Sequence, residues 1–262
     1  PNGLRYATVF PEDIHLVGAT FDSKLGPSAN VYGELVYRAN QPLAMNANDL
    51  LNASLLRLPT ALLQLHSNFL AVPAGANFDA FDRFKVTTAN LGGNKAWTNR
   101  LGAARLVLSS EIGVSHVAGL PDPQVMRYGR PLAYGTAPYL VNGALTPCSE
   151  AAPGLSGVAG KTCTTDGYTT RNAWGLRLLA AATYPNALAG ATLTPSILIA
   201  KDIKGYSYDG TFSEGRYTVR LGLRAEWAKK YYADLQINRF GGGQYNLLAD
   251  RSYVSLVGGM RF

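Results

Sequence analysis

Arg216–Trp227 reads RYTVRLGLRAEW, Lys229–Phe240 reads KKYYADLQINRF, and Arg251–Phe262 reads RSYVSLVGGMRF. In the first segment Tyr217, Val219, Leu221, Leu223, Ala225 and Trp227 alternate with Arg216, Thr218, Arg220, Gly222, Arg224 and Glu226. Successive side chains of a β-strand point to opposite faces, so one face is wholly apolar while the other carries arginines and a glutamate. A soluble sandwich also alternates, with its polar face turned to water. Here aromatics stand at both ends of the apolar face, as in a strand that crosses a bilayer and turns its polar face to a lumen.

The last segment continues the pattern, with Val254, Leu256, Gly258, Met260 and Phe262 at alternate positions. An ending on an aromatic residue resembles the C-terminal strand of bacterial outer-membrane barrels. The predicted fold is all-β, an antiparallel up-and-down transmembrane β-barrel; a soluble all-β domain is the alternative. Hydrophobic residues make up 47% of the 262, yet no run approaches the roughly 18 apolar residues of a membrane helix. Alternation hides apolar residues in this way. Tyr (15) outnumbers Phe (9) and there are 28 glycines, a composition suited to a Tyr-girdled, glycine-rich barrel. The net charge of +7 is spread along the chain and lacks the basic blocks of a nucleic-acid binder. Outer arginines would meet anionic lipid headgroups, and inner ones would line a lumen.

The chain opens at Pro1 without a signal-type leader, so processing or truncation is expected upstream. Cys148 and Cys163 lie in a loop rich in Gly, Pro, Ser and Thr. Paired, they would constrain the unfolded loop by about 3 kcal/mol and suit an oxidising periplasm or cell surface; two reduced structural cysteines are the other reading. There is no CxxC pair and no zinc-type Cys/His spacing, and no cofactor is expected.

Strands are predicted at 13–22 and 31–38, with Pro42 stopping the second. From 46 to 79 alternation vanishes: Asn48 or Asp49 could cap a helix holding Leu50, Leu51, Leu55, Leu56 and Leu58, ended by Pro59. Leu62, Leu63, Leu65 and Phe69 follow. This insertion is too apolar to hang in water, so it either plugs or gates the lumen or caps a small cluster of its own. Phe84 to Leu91 with Trp97 forms a strand bent or broken by Gly92–Lys95. Arg105–Ala118 turns Leu106, Leu108, Ile112 and Val114 outward and Arg105, Ser109, Glu111 and Ser115 inward. Residues 119–170 form the longest loop, expected outside the cell. Asn172–Tyr184 puts Trp174, Leu176 and Leu178 outward and Arg177 inward. Ala191–Ile203 puts Leu193, Ile197 and Ile199 outward and Asp202 inward. Tyr231, Ala233, Leu235 and Ile237 face lipid, and Asp234, Gln236 and Asn238 face in. The short turns Lys24–Ala29, Pro185–Gly190 and Ala228–Lys230 would be periplasmic and could serve as docking points. Nine strands result, and bacterial single-chain barrels favour even numbers; a larger barrel with further strands upstream is therefore expected.

Three phrases carry a family likeness: YRANQPLAMNANDL (Tyr37–Leu50), SSEIGVSHVAGLPD (Ser109–Asp122) and NRFGGGQYNLLADRSYVSLVGGMRF (Asn238–Phe262). Across nearly all 262 residues the chain resembles a family of large proteobacterial outer-membrane proteins classed as a domain of unknown function. The resemblance implies the C-terminal half of a protein about twice as long. It also implies bacterial outer-membrane localisation and partners encoded nearby: an RND (MmpL-like) transporter and a LolA/LolB-like periplasmic lipoprotein. Together these would move lipids or other hydrophobic molecules across the envelope.

The inward ionisable residues are Glu34, Arg38, Glu111, Arg177, Arg216, Arg220, Arg224, Glu226 and Asp234. Arg216, Arg220 and Arg224 are spaced by four along one strand, a ladder rising about 13 Å per step. It could contact phosphate or carboxylate headgroups. The alternative is a structural network, with Arg224 paired to Glu226 or Asp234 and Arg220 to Glu111. An enzyme is not expected: His116 and its neighbour Ser115 face opposite ways, and GxSxG, HExxH and carboxylate dyads are absent. A passive porin is the competing function, and the character of 46–79 discriminates it from a lipid conduit.

Overall fold

The computed structural model describes residues 5–56, 61–65, 69, 71–73, 75–146, 148, 158 and 160–262. Nine long strands make one antiparallel sheet: β1 (Leu16–Lys24), β2 (Ala29–Ala44), β3 (Phe81–Arg100), β4 (Ala103–Ala118), β7 (Asn172–Leu188), β8 (Ala191–Lys204), β9 (Tyr217–Trp227), β10 (Tyr231–Gly241) and β11 (Tyr253–Met260). A two-residue-per-strand hairpin, β5 (Leu140–Val141) and β6 (Ala144–Leu145), sits in the connection after β4. The order β1-β2-β3-β4-β7-β8-β9-β10-β11 follows the chain, so every neighbour is a sequential hairpin partner. The architecture is an all-β up-and-down sheet, and it is not closed. β1 and β11 both run from the long-connection rim to the short-turn rim, so a direct bond between these edges would be a parallel pair. No helix among the described residues is long and apolar enough to cross a membrane.

Short turns crowd one rim and long connections the other. At the short rim Ala189 and Gly190 have φ of 48° and 76°, and Ala228 and Lys229 have φ of 50° and 58°. Such left-handed turns match the twist of the strands they join. At the other rim stand the described residues of 45–80 and 119–171, together with 205–216 and 242–252.

Period-two alternation assigns the faces. Leu35, Leu91, Ile112, Leu176, Ile199, Leu223, Leu235 and Leu256 are all exposed on one side. On the other side Glu34 of β2, Thr88 of β3, Glu111 of β4, Arg177 of β7 and Asp202 of β8 line a single cavity, so the sheet curls round it. The inner face is polar and the outer face apolar, as the alternation predicts.

Several boundaries differ from the sequence reading. β1 starts at Leu16 and runs to Lys24 rather than spanning 13–22. Pro42 does not stop β2. It lies beyond the end of β1, whose first residue Leu16 pairs with Arg38, and past a register shift between Arg38 and Gln41. There β2 is an edge with a bulge, where a missing N–H is tolerated. Gly92–Lys95 does not break β3, which is continuous for 20 residues. A Cβ on Gly92 would lie 2.5 Å from the Tyr32 ring, so Tyr32 packs over the space a side chain would fill. Pro185–Leu188 belongs to β7, leaving Ala189-Gly190 as the turn. β11 ends at Met260, and Phe262 lies past the strand, fully exposed.

The core sits at the long-connection rim. Leu43, Met45, Ala53, Leu62, Val86, Val117, Leu120, Met126 and Tyr128 are buried together, with Leu50, Leu63, Phe69, Phe78 and Phe84 packed against them. Residues from the 46–79 insertion, the 119–170 loop and the inner ends of β2, β3 and β4 thus share one cluster. The insertion holds α1 (Ala47–Leu51), a π turn over Asn52–Leu56, and α2 (Ala61–Leu65). Asn46, rather than Asn48 or Asp49, is the N-cap, accepting from the Asp49 N–H at 3.2 Å. Leu58, Pro59 and His66 lie outside the described residues.

Candidate functional site

The inner wall carries the predicted ionisable residues, and the register decides which of them meet. Glu111 stands directly opposite Arg177 in the β4–β7 ladder and accepts the Tyr32 hydroxyl at 3.2 Å. The expected Arg220–Glu111 pair does not form. Arg220 lies on β9, opposite Leu198 and Asn238, with β7 and β8 between it and Glu111. Spacing along one strand could not show which residue stands across from which.

The arginine ladder is uneven. At its upper end Arg216 Nε donates to Asp202 Oδ2 at 2.6 Å, and that carboxylate also accepts the Ser213 N–H at 3.0 Å. At its lower end Arg224 reaches Glu226 at 3.1 Å and Asp234 at 3.9 Å, and lies over the Tyr232 ring at 4.8 Å. Glu226 also takes Arg261 at 3.0 Å. The middle rung, Arg220, has no ion pair among the described residues. The expected network thus forms at the Arg224 end, while the Arg216–Asp202 pair at the other end was not foreseen.

Glu34, Arg38, Glu111 and Arg177 line a cavity of about 320 Å³ together with Asp202. Arg38 donates to the Thr88 hydroxyl at 3.4 Å, and Glu34 has no ion pair among the described residues. Arg220, Arg224, Glu226 and Asp234 lie nearer the short rim and do not line this cavity. Its roof comes from the β8–β9 connection, where Tyr208 and Phe212 hang inward. A Cβ on Gly113 would lie 3.0 Å from the Phe212 ring, and one on Gly175 would lie 3.1 Å from it. These glycines form the floor on which that ring rests. The sequence reading missed Tyr208 and Phe212 because a loop has no periodicity to betray its direction.

Above the cavity the long connections are tied together by a buried polar network. Arg127, 1% exposed, forms a two-pronged pair with Asp49 of α1, its Nε donating to Oδ2 at 2.6 Å. Its Nη1 donates to the carbonyls of Ala137 (2.7 Å) and Pro138 (3.0 Å). Burial works against the Arg127 charge, but the Asp49 carboxylate outweighs it and raises its pKa. Asn46 Nδ2 donates to the carbonyl of Gly129 at 2.8 Å, and Asn48 Nδ2 to that of Gly135 at 2.7 Å. Arg130 bonds the carbonyls of Thr164, Asp166, Tyr134 and Lys161 and lies over Tyr168 at 4.6 Å and Tyr245 at 5.1 Å. Burial pushes the Tyr168 phenol up to about 12. Tyr128 is raised by burial and by donating to Asp82 at 2.6 Å, and Tyr206 by burial and then by Glu214. Cys148 and Cys163 are joined in a disulfide that closes part of the same cap.

His116 Nδ1 lies 2.7 Å from the Asn172 side-chain oxygen on the exposed outer side, while the Ser115 hydroxyl is buried on the inner side. They do not form a nucleophile–base pair. Among the described residues no cluster of His, Cys, Asp or Glu has the arrangement of a metal site.

A family profile described as a protein of unknown function, DUF1302, matches residues 1–262. The chain belongs to this family. The match covers the wall, the insertion and the cap alike, so all three are parts of one family architecture. No curated protein and no solved structure matches the chain.

Proposed function

We propose that this chain forms part of a non-enzymatic bacterial outer-membrane β-barrel that serves trans-envelope transport of lipids or other hydrophobic molecules. An RND-type inner-membrane transporter and a periplasmic lipoprotein are its proposed partners. One observation carries the membrane reading. Apolar side chains are exposed on the outer side of all nine strands, from Phe21 of β1 to Leu256 of β11, while the opposite face holds the carboxylates and arginines of the cavity and the ladder. Monomeric soluble proteins seldom expose a contiguous apolar patch beyond a few hundred Å², and a bilayer is the solvent in which such a face is stable. The partners and the cargo rest on the family resemblance. The apolar cluster beneath the cap, with Leu43, Met45 and Leu62, favours a lid through which a greasy molecule passes over a simple water-filled pore.

A passive, porin-like channel is the second reading, favoured by Glu34 and Arg220, which carry no ion pair among the described residues. The test is mild detergent purification of the full-length protein from native membranes, with mass spectrometry of what accompanies it. The conduit reading expects an RND-type transporter or a lipoprotein, with bound lipid. A solitary barrel with steady ion conductance in a planar bilayer would replace it with the porin reading.

A further inference from the structure

On three of the nine strands the outer run ends in a cation at the long-connection rim. On β3 the outward series Leu91, Ala89, Thr87 is followed by Lys85; on β8 Ile197 and Ile199 are followed by Lys201; on β10 Leu235 and Ile237 are followed by Arg239. The pairings of Lys85 with Ala118, Lys201 with Tyr217, and Arg239 with Val219 put these cations on the outer face, because the apolar partners are outward residues. Lys85 and Arg239 are exposed. None of the three forms an ion pair among the described residues. Lys201 Nζ donates to the Gly215 carbonyl at 2.8 Å and lies 5.6 Å from the Tyr217 ring centroid.

The positions are staggered in a way that tilt explains. Crossing from Arg239 along the ladder leads to Val219, then Ile199, and Lys201 lies two residues nearer the long connections. Crossing from Lys201 leads to Leu176, Ile112 and Leu91, and Lys85 lies six residues further the same way. The short turn between β1 and β2 is offset in the same sense: Ala29, the first residue of β2, stands opposite Lys95, five residues before the end of β3 at Arg100. In a sheet of tilted strands, residues at one height follow such a stagger rather than a ladder row. The three cations therefore mark one level at the top of the apolar band.

We infer that Lys85, Lys201 and Arg239 form a belt that binds the phosphate groups of anionic lipids in the leaflet on the long-connection side. An unpaired ammonium or guanidinium just above an apolar band is placed where lipid phosphates lie, and a cation near an anionic leaflet gains favourable interaction energy. The inference rests on the membrane reading above and names the lipid partner of the outer face.

Trp174 provides a probe, because it is paired with Lys204 at this rim and faces outward. The full-length protein carrying Trp97→Phe and Trp227→Phe, with any tryptophan outside these 262 residues also replaced by Phe, is reconstituted in phosphatidylcholine vesicles. Either brominated phosphatidylcholine or brominated phosphatidylglycerol is then added. The expected result is quenching of Trp174 by both lipids, with a several-fold preference for phosphatidylglycerol. That preference falls with added salt and in Lys85→Gln/Lys201→Gln/Arg239→Gln. The Lys85→Gln/Arg239→Gln pair, which leaves the Lys201 bond to Gly215 intact, loses part of it. Equal quenching by the two lipids would overturn the belt while leaving the membrane reading standing. Absence of quenching by either lipid would overturn the membrane reading and the belt with it.

Discussion

The wall and the cap reach order by opposite routes. In the wall, backbone ladders satisfy the main chain, and side chains need only alternate: apolar to one side, polar to the other. In the cap, four chain segments with little regular structure are joined by buried charges and amides that must find particular partners. Asp49, Arg127, Asn46, Asn48 and Arg130 are each less than a tenth exposed. A wall position tolerates any residue of the right polarity and size. A cap position depends on its partner, since a buried group left unpaired bears its full desolvation cost.

The largest effect that would sharpen this contrast is expected from Asp49→Ala, which strands the Arg127 guanidinium in the interior. Loss of one partner from such a pair costs about 3–5 kcal/mol. Hydrogen exchange should rise throughout 120–140 while amides of β9 and β10 keep their protection. Asp49→Ala combined with Arg127→Leu should recover a good part of the loss, because no charge is then left buried. If the wall amides open together with the cap, the two regions are one cooperative unit and the contrast fails.

Next comes the disulfide, whose cysteines are 15 residues apart. Replacing both by serine should cost about 3 kcal/mol, confined to the cap and read as faster proteolysis between 119 and 170. The wall has its own sensitive point in Gly175. A Cβ there would lie 2.8 Å from the Lys201 carbonyl oxygen and 3.1 Å from the Phe212 ring. Gly175→Val should therefore lower stability by about 1–3 kcal/mol and displace Phe212. Phe212→Ala in that background should restore the part due to the ring, as measured by thermal unfolding. The smallest effect is alkaline. The Tyr168 phenol in the fold titrates at about 12, above the ordinary value of about 10. Its contribution is complete below about pH 10 and is lost as pH rises toward about 12. Cap amides should lose protection over that window, and Tyr168→Phe should flatten the response.

The same difference governs what could be read from the residues alone. Arg216–Trp227 declares its faces because its two sides alternate cleanly between apolar and polar, and most of the nine strands were legible in this way; β1 was the least so, because its two faces are poorly separated in sequence. The bulge that admits Pro42 was not, since it depends on where β1 ends. Nor was the neighbour of Glu111: alternation fixes the face a residue shares, but only register fixes the residue across from it. The cap was opaque for a stronger reason. Asp49 and Arg127 are 78 positions apart, and neither sits in a periodic pattern. The insertion showed its greasiness through Leu62 and Leu63 but gave no sign of the polar network beside it.

The central claim is that the odd-numbered face of β9 contacts lipid and the even-numbered face does not. It is tested most directly by spin labels placed singly at 217 to 227 in the full-length protein, reconstituted in vesicles with the native disulfide intact. Accessibility to oxygen and to a water-soluble nickel chelate is then compared at each position. The expected result is a period of two, with oxygen favoured at Val219, Leu221, Leu223 and Ala225 and the chelate at Arg220, Gly222 and Arg224. Chelate access at Leu221 and Leu223 equal to that at Arg220 would place both faces in water and contradict the membrane reading.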